Sequence, residues 1–292
     1  MLQLKKILTL LAVFGLLTAA GHAQTLTIKL AGGLGYSTGG DLAAGIRGQS
    51  ALLAQEFQAT GAFLVPKTGL NLAGEIVFYP WAHFGIGIGE GYFQTVKQSS
   101  VSYSNGDLQV QETINPRIRT TPVMVTLNLH WDVPLTSWLH VDVSGGAGLY
   151  SATLNWDYKN SYTLADLSGS EHYTFRASKN AVGYQGGLGL EYLVSSRVAI
   201  VLDLVGRVAS IGPFSKGVWT DQLSGSTAQP GTSGNDHTFW YYNWTSGSQT
   251  YAQIAFQANQ PTGDPAITNV RTGKIDLNGF AAMIGIRIAI GR

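Results

Sequence analysis

The chain has 292 residues, of which 18 are Lys or Arg and 17 Asp or Glu, for a formal net charge of +1; 12% are charged, 11% aromatic, 37 are Gly and none is Cys. A balance this close to neutral supplies no electrostatic drive toward nucleic acid or an anionic membrane surface, and a chain without Cys takes no stability from disulfides. Few charges with abundant Gly and aromatic residues fit a many-stranded β protein with little solvated helix surface.

Residues 1–23 have the three parts of a secretory signal: Lys5 and Lys6, the apolar run Ile7 to Ala20, then Gly21-His22-Ala23 with small residues at the cleavage positions. The run is shorter than the roughly 20 residues that span a bilayer as a helix. The mature chain is expected to start at Gln24, with residues 24–292 forming one β-barrel domain.

A first strand is expected over Thr25 to Tyr36, with Leu26, Ile28, Leu30 and Leu34 outward and Lys29 inward. Ser37 to Lys67 is a first loop, in which Asp41 to Gln58 reads as a short helix (Leu42, Ile46, Leu53, Phe57) or as irregular chain. Strand two, Gly69 to Tyr79, turns Leu70, Leu72, Ile76 and Phe78 outward and Asn71, Glu75 and Val77 inward; strand three is Phe84 to about Thr95. Pairing Phe78 with Phe84 sets Glu75 opposite Gly87, whose missing side chain leaves room for the carboxylate. Glu90 falls on the apolar side, and Gly89 and Gly91 around it suggest a bulge or a strand that has left the hydrocarbon. Val96 to Ile118 is a second loop with a hairpin turn at Ser104-Asn105-Gly106-Asp107.

The central stretch shows the clearest alternation. Val123, Val125, Leu127, Leu129 and Trp131 share one face, and Met124, Thr126, Asn128, His130 and Asp132 the other; Leu139, Val141 and Val143 then alternate with His140, Asp142 and Ser144. A symmetric hairpin pairs Trp131 with Leu139, His130 with His140 and Asn128 with Asp142. Charges are few on both faces, so the apolar face is read as facing lipid and the polar one a narrow lumen. A third loop is expected over Leu154 to Ser178. Strands six and seven, Ala181 to Val194 and Val198 to Ser210, join through Ser195-Ser196-Arg197, which sets Gly189 opposite Asp203 and Gln185 opposite Arg207. The fourth loop is Ile211 to Lys274, and the last strand Ile275 to Ile290 points Arg287 inward.

Connections therefore alternate long and short, as in barrels with short periplasmic turns and long extracellular loops. Aromatic residues fall where girdles belong: Tyr79, Trp81, Phe84, Trp131, Trp138 and Tyr192 near the short turns, and Tyr36, Tyr92, Phe93, Tyr150 and Trp156 near the long loops. The fold class is all-β: a transmembrane up-and-down antiparallel β-barrel, eight strands, with ten as the alternative. On this architecture, on Gly-rich strands such as Gly183 to Tyr192 and on its last strand, the chain resembles the eight-stranded outer-membrane β-barrel superfamily (OmpA/OmpX-like). The family's assembly signal ends in an aromatic residue, where this chain has Ile288-Ala289-Ile290-Gly291-Arg292. The resemblance implies the bacterial outer membrane as the location. It also implies outer-membrane lipid, lipopolysaccharide included, and the barrel-assembly machinery as partners.

The inward polar set is Lys29, Glu75, Asn128, His130, His140, Asp142, Gln185, Glu191, Asp203, Arg207 and Arg287, with Asn71. It reads as a plug of paired charges, since small barrels are filled by side chains and buried charges need partners; a gated ion path is the alternative. A metal held by His130, His140 and Asp142 is the weaker reading of that end, and no metal, cofactor or catalytic residue is assigned. Gly85 to Gly89 and Gly186 to Gly189 do not open a helix, so they are not phosphate loops. Asp107, Asp236 and His237 are the residues a loop-borne protease or lipid-modifying hydrolase would use, but Asp236 and His237 are expected on opposite faces of a strand. In the fourth loop, His237 to Trp244 and Gln249 to Gln257 read as a protruding hairpin whose Phe239, Trp240, Tyr241, Tyr242, Trp244 and Tyr251 form an adaptable binding surface. The functional expectation is a non-enzymatic barrel with a structural or surface-binding role toward an extracellular ligand or partner. The alternative is a small pore or transporter.

Overall fold

The computed structural model describes residues 25–134, 136–165, 167–225 and 229–290. The expected signal and the final Gly291-Arg292 lie outside them. In chain order the elements begin with β1 (Thr25–Ser37), helix α1 (Gly40–Phe57), β2 (Thr60–Gly61), β3 (Thr68–Trp81), β4 (Phe84–Val96), β5 (Ser99–Asn105) and β6 (Leu108–Ile114). They continue with β7 (Arg117–Asp132), β8 (Leu139–Leu164), β9 (Leu167–Leu193), β10 (Val198–Val208), β11 (Ser210–Ile211) and β12 (Gly217–Gly225). The last are β13 (Gln229–Ser246), β14 (Gln249–Gln257), β15 (Ile267–Thr272), β16 (Ile275–Asp276) and β17 (Gly279–Ile290).

Antiparallel pairing runs β1–β3–β4–β7–β8–β9–β10–β17 and returns from β17 to β1, so the wall closes on itself. Closure leaves no free sheet edge in the ring. Period-two alternation sorts its side chains: Leu30, Leu34, Leu70, Val125, Leu127, Leu188, Leu202 and Ile284 are exposed on the outside, while Lys29, Asn128, Asp142, Asp203 and Arg287 are buried within. An apolar exterior around a polar lumen is what a wall facing hydrocarbon requires. Trp81, Trp131, Trp138 and Tyr192 are exposed at the short-turn end, as girdle residues should be.

At the long-loop end the wall continues upward. β8 and β9 have 26 and 27 residues, against roughly 9–11 for crossing a bilayer, so more than half of that hairpin projects. The expected third loop over Leu154 to Ser178 is thus strand: alternation persists, with Ala152, Leu154, Trp156, Phe175 and Ala177 buried. The β5–β6 hairpin pairs sideways with upper β8, and β12 with upper β9. The β13–β14 hairpin turns at Gly247, as its sequence predicts, and is paired outside the ring.

The interior changes chemistry at this height. Leu42, Ile46 and Leu53 of α1 pack in one apolar core with Phe93, Tyr150, Leu154, Trp156, Phe175, Phe214, Phe239 and Ile275. Phe93, Tyr150 and Trp156, expected in the upper girdle, are core residues instead, because their strand parity points them inward. Helix α1 reaches very close to β14: a Cβ added at Gly48 would lie 1.9 Å from the Ala252 carbonyl oxygen, and one at Gly45 2.2 Å from Ile254 Cγ2. Only glycine permits that approach.

Registers show where local rules succeed. Gly189 opposes Asp203 and Gln185 opposes Arg207, as the short turn predicts. In β7–β8 the pairing is shifted by two: Trp131 opposes Val141, His130 opposes Asp142 and Asn128 opposes Ser144. In β3–β4 Glu75 opposes Gly89, with the irregularity between Phe78 and Trp81 and none at Glu90; Glu90 is exposed on the outer face, directly before the two residues, Gly91 and Tyr92, that have no partner in β7. The space argument for Gly87 survives the shift, since a Cβ there would lie 2.4 Å from Glu75 Oε1. The last strand starts at Gly279, because Ile275 and Leu277 turn into the upper core.

Candidate functional site in the barrel interior

The eleven inward residues expected from the sequence are all buried or half-buried within the ring, and they form stacked layers. At the short-turn end Arg287 bridges two strands' carboxylates, Nη1 to Glu191 Oε1 at 2.6 Å and Nη2 to Asp142 Oδ2 at 3.2 Å. The Tyr79 hydroxyl donates to Asp142 Oδ2 at 3.4 Å, and Arg287 lies 6.0 Å from the Tyr79 ring centre. Tyr79, placed in the girdle by its chemical type, belongs to the lumen; sharing parity with Glu75 and Val77 is the signal that finds it. Beside this layer the His130 and His140 rings stack at 4.8 Å, with Nε2 and Nδ1 3.0 Å apart. Asp132 Oδ1 is 2.8 Å from the same His140 Nδ1.

In the middle layer Lys29 Nζ lies between Glu75 Oε2 at 3.5 Å and Asp203 Oδ2 at 3.3 Å. Thr126 and Asn128 donate to Glu75 Oε1. Above it, Arg207 donates to Asn71 Oδ1 at 3.0 Å and stacks 4.1 Å over Phe93. No salt bridge reaches Arg207 among the described residues, so its charge is met by an amide and an aromatic face rather than a carboxylate. Gln185 lines the same space. The apolar core with α1 begins directly above.

A second cluster lies at the long-loop end. Arg271 binds Asp41 through both guanidinium nitrogens, with Nη2 to Oδ1 at 2.6 Å, and stacks 4.3 Å over Tyr241; the Lys274 N–H donates to Asp41 Oδ2 at 3.0 Å. Hydrogen bonding to Asp41 holds the Arg271 guanidinium above its ordinary range. Of the expected binding surface, Phe239 is fully buried and Tyr251 nearly so, which makes both of them cap residues. Trp240, Tyr242 and Trp244 are half-buried and pair with Ala255, Gln253 and Tyr251, so they share one face of the hairpin. Tyr241 lies on the other face, opposite Ile254.

Asp236 and His237 do meet, Nδ1 to Oδ1 at 3.2 Å, and the Trp219 indole donates to Asp236 at 2.9 Å. The register shift between Gly217 and Trp219 lets neighbours in β13 converge, which a regular strand would forbid. The Trp219 hydrogen bond, then that from His237, holds the Asp236 carboxyl below its usual range. No hydrogen bond or ion pair joins Asp107 to them among the described residues.

No protein-family model matches the chain, and no curated protein matches it. Among solved structures it is similar to the outer membrane protein OprG from Pseudomonas aeruginosa, at 12% identity and TM-score 0.40 over 93% of this chain and 99% of that one. It is also similar to the outer membrane protease OmpT from Escherichia coli, at 6% identity and TM-score 0.28 over 93% and 99%. The closed antiparallel ring, apolar outside and polar within, makes the fold a transmembrane β-barrel of the outer-membrane type.

Proposed function

We propose that the chain is a non-enzymatic outer-membrane barrel with a closed lumen, whose working part is the extracellular cap. One observation carries this reading: the lumen is filled layer upon layer, from the Arg287 ion pairs through Lys29 and Arg207 to the apolar core that seats α1. An ion crossing it would have to displace paired charges and then enter an apolar core. The aromatic face of Trp240, Tyr242 and Trp244 is the surface that remains for a ligand, with rings suited to stacking on sugars.

One feature favours the second reading, passage of small solutes. Pro122 in β7 has no N–H to donate, and the β4–β7 register carries no pair for Gly91 or Tyr92 there. A cavity of about 70 Å³ reaches this gap from Lys29, Asn71 and Arg207 inside, and an outer groove of about 600 Å³ shares its Leu72, Gly74, Glu90 and Tyr92. The experiment that separates the two is single-channel conductance of the protein in a planar bilayer, with insertion verified independently. Electrical silence is expected of a plugged barrel. Steady conductance that changes with Glu75→Gln or Arg287→Met would replace the proposal with a pore.

A further inference from the structure

We infer that His130, His140 and Asp132 form a binding site for a divalent first-row metal ion of the zinc class at the short-turn mouth of the barrel. The three donor atoms are His130 Nε2, His140 Nδ1 and Asp132 Oδ1, separated by 3.0 Å and 2.8 Å through the shared His140 nitrogen, and all lie within 4.8 Å of one another. Metal–nitrogen and metal–oxygen bonds of about 2.0–2.1 Å in a tetrahedron put donors roughly 3.3 Å apart. The two spacings through His140 are a few tenths of an ångström shorter than that, so an ion entering between the donors would spread them slightly.

Two observations beyond proximity point to a cation. The first concerns protons. His140 Nδ1 has either one hydrogen or one lone pair, yet it has both a ring nitrogen and a carboxylate oxygen at hydrogen-bond distance. In every tautomer and protonation state the two contacts must share that single hydrogen or that single lone pair. A metal ion meets all three groups through their lone pairs, with His130 carrying its proton on Nδ1 and His140 on Nε2. The second concerns charge. Arg287 is engaged by Asp142 and Glu191, whereas the one ion-pair partner of Asp132 among the described residues is the His140 ring. Asp132 is therefore left to the imidazoles, and a cation bound between them would meet its charge directly.

The donor set also selects the ion. Two imidazoles and one carboxylate suit zinc and its neighbours better than calcium or magnesium, which prefer oxygen ligands. His130 and Asp132 come from β7 and His140 from β8, so the ion would tie the two strands just where they part into the turn. The Asp132 side chain is 70% exposed, which leaves a coordination position facing solvent for water.

The test is titration of the untagged, chelator-treated barrel with zinc ion, read by calorimetry and by the shift in thermal unfolding. One saturable site is expected, and His140→Gln should weaken it at least 10-fold. Asp132→Asn, at an exposed side chain that the fold tolerates, should weaken it comparably, while His172→Gln at the far end should leave it intact. No saturable binding up to millimolar zinc, or equal binding by His140→Gln and the unchanged chain, would overturn the inference. So would loss of binding with His172→Gln alone.

Discussion

Lys29 shows what one residue does in a filled lumen. It is buried between Glu75 and Asp203, and removing it would leave two carboxylates facing each other without a counter-charge. Breaking a buried ion arrangement from one side costs about 3–5 kcal/mol. Lys29→Met is accordingly expected to lower the urea midpoint of the inserted barrel by that equivalent, followed by tryptophan fluorescence. A change under 1 kcal/mol would show that water, not Lys29, compensates the acids. At this scale the sequence was highly legible: strand parity alone identifies Lys29, Glu75, Asp203 and Arg287 as inward. It was less so where chemical type competed with parity. Tyr79, Phe93 and Tyr150 look like girdle residues by type, but each shares parity with lumen neighbours, and parity decides.

Among the elements, α1 is the one whose placement depends most on missing side chains. Gly45 and Gly48 bring it against β14, and Asp41 ties its first turn to Arg271, where a carboxylate also complements the helix dipole. Gly48→Leu is expected to push α1 off β14 and cost about 1–3 kcal/mol as overpacking. Limited trypsin digestion should then cut at Arg271 or Lys274 while the barrel wall stays intact; full protection would mean that α1 has another seat. The helix was one of two readings that Leu42, Ile46 and Leu53 left open, and its seat was in neither, since small residues mark a close approach without naming the partner. Register followed the same logic. The β9–β10 turn at Ser195 to Arg197 keeps the expected register, the longer connection between Asp132 and Leu139 admits a shift of two that keeps every side chain on its face, and in β3–β4 the irregularity between Phe78 and Trp81 gives the same shift across a short turn.

For the whole molecule, the alternation of long and short connections made the barrel legible and left the cap obscure. Inside the wall the pattern changes from polar to apolar above Arg207, and an apolar inward residue at Phe93 or Leu154 is hard to tell from a lipid-facing one until the long loops are seen to fold back over the ring. The proposed binding belongs to this scale, because the hairpin that would carry it is held by α1, by upper β9 through β12, and by β15. Replacing Trp240, Tyr242 and Trp244 together with Ser is expected to reduce glycan or surface adhesion at least tenfold while heat-modifiable migration, the sign of a closed barrel, is unchanged. Unchanged adhesion would remove this face from the proposal.

The Asp41–Arg271 clamp joins positions 230 residues apart, and this sets an order of events. Most of the barrel wall lies between those two positions in the chain, and β17, which seals the ring against β1, comes after Arg271 with β16 between them. Contacts of such long sequence separation form late in folding. The helix is therefore the last part to be covered, although it is among the first to leave the ribosome. A chain stalled before ring closure displays an uncovered apolar helix, and one that has closed does not.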